Sequence, residues 1–175
     1  MRRRRPLDIP YAEAAAELGA LVSGLPVSPS DAGAYADAVR YHGLTGYAVE
    51  AAGRGRLALS PEEERRLADA QAKRLLHAAL LRRELAAAVA SLGAAGVAPL
   101  LVKGPSVANR FYRDPALRTF ADLDLLVPRQ RLADGVAALA RAGYSIVGDY
   151  RPDYPESLYH DVHLERSVGS HRVDI

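Results

Sequence analysis

The sequence predicts an α+β protein: a mixed β-sheet core with packed helices, preceded by an N-terminal helical region. Three observations carry this. The chain is rich in Ala and Leu, which favour helix, and its first ninety or so residues hold helix starts and helical spacing. From Val97 onward short apolar runs alternate with one or two helical patterns, separated by Gly and Pro. The order strand, helix, strand, helix, strand, strand, strand builds a sheet with helices packed on it.

The elements follow in order. Residues 10–23 predict a first short helix, and Gly24 to Pro29 a linker. Ser30 and Asp31 offer N-caps for a second helix through Tyr41. Gly43, Gly46, Gly53 and Gly55 punctuate a further short helix and loop. Ser60-Pro61-Glu62-Glu63 starts a long helix: Ser caps, Pro takes the first position, and acids meet the positive dipole end. Its expected core face is Leu81, Leu85, Ala88, Val89 and Leu92; Arg82, Arg83 and Glu84 read as a solvated face. Val97 to Val102 predicts a buried strand ending at Lys103-Gly104, and Ser106 to Tyr112 a short helix. Asp114-Pro115 is a turn, and Phe120 to Val127 a strand. Pro128 opens a helix burying Leu132, Val136, Leu139 and Ala140, stopped by Gly143. Tyr144 to Val147 is a strand, residues 151–158 a Pro-rich loop, and Val162 to Arg166 and Arg172 to Ile175 two strands joined through Gly169. The expected division is an N-terminal helical region, 1–57, and a core, 58–175, whose end inside a strand suggests a core cut short.

Composition narrows the function classes. The 175 residues carry a net charge of +2, much of it in the run Arg2 to Arg5. The nearly neutral body lacks the electrostatic footprint of a binder of long nucleic acids. The Arg run could touch phosphate but reads better as a solvated tail, and it opens no signal peptide, since Pro6, Asp8 and Pro10 stand where an apolar stretch is needed. Leu85 to Val102 is uncharged, but its alanines, Gly93, Gly96 and Pro99 do not make a membrane span. The chain has no cysteine, hence no disulfides, which fits a cytoplasmic location.

Three short motifs bear chemistry. In Asp122-Leu123-Asp124-Leu125, strand alternation puts both acids on one face, about 7 Å apart at the backbone, with the leucines on the other. Adjacent anions repel unless a hard cation such as Mg²⁺ neutralises them. Two solvent-facing acids on an exposed strand explain the same pattern. In Lys103-Gly104-Pro105-Ser106, a strand gives way to a helix whose N-terminus attracts phosphate. Plain capping by Ser106 and a solvated Lys103 explain it equally simply. Asp174, between Val173 and Ile175, places a third acid opposite apolar neighbours.

Together these resemble the active-site signature of the DNA polymerase β-type nucleotidyltransferase superfamily. The segment LLVKGPSVANRFYRDPALRTFADLDLLV resembles the central block of an uncharacterised bacterial nucleotidyltransferase family within it. The sharp resemblance covers about residues 97–142, with a weaker match at 171–175. It implies that Asp122, Asp124 and Asp174 are catalytic Mg²⁺ ligands, and that Lys103, Gly104, Ser106 and Arg118 bind the nucleotide. Arg118 fits a surface ion pair with Asp114 or Asp122 as well. The superfamily's usual Gly-Ser turn stands here as Gly104-Pro105-Ser106. The resemblance further requires the strand of Asp174 to lie beside Phe120 to Val127.

The implied reaction moves an NMP from an NTP to an unidentified acceptor, whether small molecule, peptide, protein or RNA end, and releases pyrophosphate. Two alternatives use the same residues: a non-catalytic nucleotide- or partner-binding module, and a metal-dependent phosphohydrolase. A zinc site at His160, His163 and His171 is disfavoured, because His160 and His163 do not share a strand face and no Cys assists. Asp161 and His163 do share a face; Tyr150, Tyr154 and Tyr159 flank them and could stack on a base.

Overall fold

The structure is a computed structural model that describes residues 14–148, 150, 162–168 and, for the backbone, 171–174. The expected helix start at 10–13, the loop 151–158, His160, Asp161, Tyr154 and Tyr159 lie outside these residues. Among the described residues the architecture is α+β, with helices dominating the first half and five short strands in the second. No helix among the described residues is long and apolar enough to cross a membrane.

The chain forms two compact units. The first comprises residues up to Lys73 together with Ala116–Arg118. Its helices are α1 (Ala15–Val22), α2 (Ala32–Tyr41), α3 (Thr45–Gly53) and the opening turns of α4 (Pro61–Ala94). Two starts follow the capping chemistry read from the sequence. The Asp31 carboxylate accepts a hydrogen bond from the Ala34 backbone N–H at 2.9 Å. Ser60 caps α4: Glu63 N–H donates to its Oγ at 3.3 Å, and its hydroxyl donates to Glu63 Oε2 at 2.9 Å. Leu18, Leu21, Tyr35, Val39, Ala48 and Leu67 fill the core of this unit. Gly46 is required by a close approach. A Cβ there would lie 2.9 Å from both the Ala116 carbonyl oxygen and the Leu117 Cα. Gln71, itself buried, donates to the same Ala116 carbonyl at 2.7 Å.

The second unit holds Arg74–Pro115 and the chain from Thr119. Its strands make two antiparallel sheets. One pairs β1 (Leu100–Val102) with β2 (Asp124–Leu126); α5 (Gly104–Phe111) lies between them in sequence. The other has the order β3 (Ser145–Val147), β4 (His163–Val168), β5 (His171–Asp174). Helix α6 (Leu132–Arg141) links the two sheets along the chain. The core joins Ala78, Leu81, Ala88 and Leu92 of α4 with Val97, Phe120, Leu123, Val136, Leu139, Tyr144 and Leu164.

Three sequence expectations need correction. The strand expected over Phe120 to Val127 is ordered as a strand only at Asp124–Leu126, after a bend. A strand extends only as far as its partner, and β1 is confined between Pro99, which has no N–H, and the helix opening at Gly104. On α4, Val89 is exposed and Glu84 is buried, the reverse of the reading. The two flank the same apolar stripe on opposite sides, and Tyr144 and Arg166 cover the side of Glu84. On α6 the buried residue is Ala138 rather than Ala140, because the face centres between Gly135 and Leu139. At Gly135 a Cβ would lie 3.4 Å from Leu92 Cδ2, so this face of α6 is packed against α4.

Candidate functional site

The site forms where β1 hands over to α5 beside β2. The ladder sets Val102 directly opposite Asp124, so Lys103, the next residue, sits next to that carboxylate. Lys103 Nζ reaches Asp124 Oδ1 at 3.0 Å. The Lys103 side chain is 74% exposed and that of Asp124 30%. Lys103 occupies the N-cap position of α5 with φ 49° and ψ −140°, and no side chain caps this helix. Ser106 therefore does not act as a helix cap; it is a half-buried residue in the first turn. Among the described residues Lys103 is the one non-glycine with positive φ.

Gly104 and Pro105 are buried behind Lys103. A Cβ on Gly104 would meet Phe120 Cβ at 3.4 Å and the Asp122 carbonyl oxygen at 3.5 Å. The turn thus lies close to the backbone that presents the Asp-x-Asp pair, with room for little more than a methyl between them. Asp122 is exposed in the bend, Leu123 is 1% exposed in the core, and Asp124 and Leu125 are half-buried, with Leu125 packed on the core. The alternation of acid outward and leucine inward holds, although only Asp124 belongs to the ordered strand.

Two residues of α4 brace this bend: His77, which sequence reading passed over, and Arg82, which it read as part of a solvated face. His77 of α4 is hydrogen-bonded through Nε2 to the Ala121 carbonyl at 3.2 Å. The Arg82 guanidinium lies over the Phe120 ring, 5.6 Å from its centroid, within cation–π range. Helical spacing from Leu81 reaches back to His77, a signal the core-face pattern already contained.

Two further expected site residues lie on other segments of the chain. Arg118 is exposed, in the segment following the 3₁₀ turn Pro115–Leu117, and belongs to the first compact unit. Asp174 lies on β5 in register with Glu165 of β4, and its side chain is outside the described residues. The strand of Asp174 hydrogen-bonds β4, not the segment of Asp122 and Asp124. Among the described residues β2 and β5 each form the last strand of their sheet. The structure brings together Lys103, Gly104, Asp122 and Asp124.

This donor set fits a hard divalent cation. Its ligating atoms are carboxylate oxygens, and Asp124 already holds a cationic group, the Lys103 ammonium. Among the described residues no three His, Asp or Glu side chains form a metal-sized cluster; the Asp174 carboxylate is not among those residues.

A helix N-terminus attracts phosphate, and carboxylate oxygens suit a hard cation. Residues 28–175 match the model of the family described as uncharacterised nucleotidyltransferase, and the chain belongs to that family. No curated protein and no solved structure matches the chain.

Proposed function

We propose that this chain is a Mg²⁺-dependent nucleotidyltransferase of the polymerase β type, moving an NMP from an NTP to an acceptor. The observation that carries the reading is the contact of the Lys103-Gly104 turn with the Asp122–Asp124 segment, in a chain of a nucleotidyltransferase family. In the proposed reaction an acceptor oxygen attacks the α-phosphorus in line. The bond from that phosphorus to the bridging oxygen breaks, pyrophosphate leaves, and the acceptor's proton passes to solvent or a carboxylate.

Asp122 and Asp124 would hold Mg²⁺, with Asp174 as a third carboxylate. The metal would supply charge neutralisation at the phosphates and a lowered pKa for the acceptor hydroxyl. The residues themselves do the positioning. Gly104 lets the chain come close to phosphate at the start of α5, and Ser106 offers a hydroxyl in that first turn. Lys103 contributes a mobile ammonium to the phosphate charge, and Arg118 is a further cation for the triphosphate. The acceptor is an open choice among small molecule, peptide, protein and RNA end.

The test is release of pyrophosphate from radiolabelled NTPs with Mg²⁺, using a cell extract as the source of acceptor. Label transferred to an acceptor by the wild type and not by Asp124→Asn supports the reading. Release of free NMP without an acceptor would replace it with a phosphohydrolase. Nucleotide binding with no turnover under any acceptor mixture would leave a binding module.

A further inference from the structure

Lys103 combines two features that do not follow from phosphate binding. Its backbone is held at φ 49° and ψ −140°, a region that side-chain-bearing residues rarely adopt and that costs strain. The turn has little room to relax, because Gly104 and Pro105 behind it are buried and a Cβ on Gly104 would already meet Phe120 and the Asp122 carbonyl. Its ammonium, by contrast, is mostly in solvent and rests on Asp124. A strained root and a largely solvent-exposed tip make a short arm that can change partners.

We infer that Lys103 is a built-in placeholder cation: it neutralises Asp124 while the site lacks a divalent ion and gives the carboxylate up when one binds, its ammonium then turning to the nucleotide's phosphates. This rests on the proposed metal site at Asp122 and Asp124. The physical case is one of competition. Asp124 carries its ion pair to the Lys103 ammonium, and a divalent ion on the same carboxylate must compete with it. An exposed ion pair is weak, so Lys103 is displaced cheaply by a divalent ion. Lys103 should therefore weaken binding of metal alone and strengthen binding of metal together with nucleotide, because a freed ammonium finds a triphosphate only in the second case. The device biases the site toward taking its metal with the nucleotide.

Opposite effects on two ligands are what a merely structural lysine would not produce. The experiment compares wild type, Lys103→Met and Lys103→Arg in the full chain. Binding of Mn²⁺ alone is read by electron paramagnetic resonance, and binding of Mg²⁺-ATP and Mg²⁺-GTP by calorimetry. Methionine keeps the stem and the same backbone cost, so the variant should fold; circular dichroism melts check this, and Lys103→Gln is the substitute. The expected result is Mn²⁺ bound about two- to fivefold more tightly by Lys103→Met, the range set by an exposed ion pair. The preferred Mg²⁺-NTP should bind it about tenfold more weakly, and Lys103→Arg should stay near wild type in both. Mn²⁺ affinity that is unchanged or lower in Lys103→Met, with wild type binding Mn²⁺ normally, overturns the placeholder alone. Failure of wild type to bind Mn²⁺, or equal binding by Asp124→Asn, overturns the metal site and the placeholder with it.

Discussion

The Arg166 guanidinium of β4 is ion-paired with the Glu84 carboxylate of α4, a side chain only 3% exposed. Tyr144 donates to the same carboxylate oxygen at 3.1 Å, and its ring lies 4.7 Å from the Arg166 guanidinium carbon. Arg166 also donates to the Ala142 carbonyl at 2.9 Å. This network ties the strand opposite β5 to the long helix, because Arg166 is the register partner of Val173. Removing one partner strands a buried charge. Glu84→Gln should lower stability by about 3 kcal/mol, the low end for a buried pair because Arg166 keeps some solvent. The double variant Glu84→Leu/Arg166→Met should recover most of it. Urea unfolding of the three proteins is the check; equal stability of wild type and Glu84→Gln would show the pair to be inert.

Sequence reading could not see this network. Glu84 sits in the charged run Arg82-Arg83-Glu84, and its partner lies 82 residues away. What was legible was local chemistry: the caps at Asp31 and Ser60, the α+β order of elements, and the hairpin of β4 and β5. The Asp-x-Asp strand was legible in its inward leucines, but its length was not, because that depends on where β1 starts and stops. The separation of Asp174's strand from β2 in hydrogen bonding is likewise set by pairing between distant segments.

Gly46 tests the close approach in the first unit. Alanine is the better helix former by about 1 kcal/mol, so propensity alone would stabilise α3. The added Cβ would meet backbone atoms at 2.9 Å, which forces a shift costing roughly 1–3 kcal/mol. Gly46→Ala should therefore be net destabilising by thermal melting. Gly53→Ala in the same helix, with open space at its Cβ, should be neutral or stabilising.

Tyr35 supplies a pH signature. Burial, and secondarily the nearby Glu17 charge, push its pKa from 10.0 up to about 12. The folded hydroxyl keeps its proton where the unfolded one has lost it. Its stabilising contribution is thus complete below pH 10 and is lost as pH rises toward about 12. The loss amounts to at most about 3 kcal/mol. Among the described residues the buried hydroxyl has no hydrogen-bond partner, so Tyr35→Phe should be at least as stable as wild type at pH 7. The melting-temperature gap in favour of Tyr35→Phe should widen above pH 10. A constant gap would contradict the assignment.

Gly104 separates fold from function at the turn. A Cβ there makes ordinary contacts at 3.4 and 3.5 Å, so Gly104→Ala should fold with little loss of stability. If phosphate approaches the backbone at the start of α5, the same methyl should weaken Mg²⁺-NTP binding by about tenfold or more. Calorimetry beside a thermal melt reads both. Unchanged nucleotide affinity would move phosphate away from this turn.

The central claim is that Asp122 and Asp124 form the metal–nucleotide site. Its most direct test is calorimetric titration of wild type and Asp122→Asn/Asp124→Asn with each Mg²⁺-NTP, and with the same NTPs in EDTA. The account predicts saturable binding of at least one NTP by wild type, dependent on Mg²⁺ and abolished in the double variant. Equal binding by both proteins, or no binding of any NTP by wild type, would contradict it.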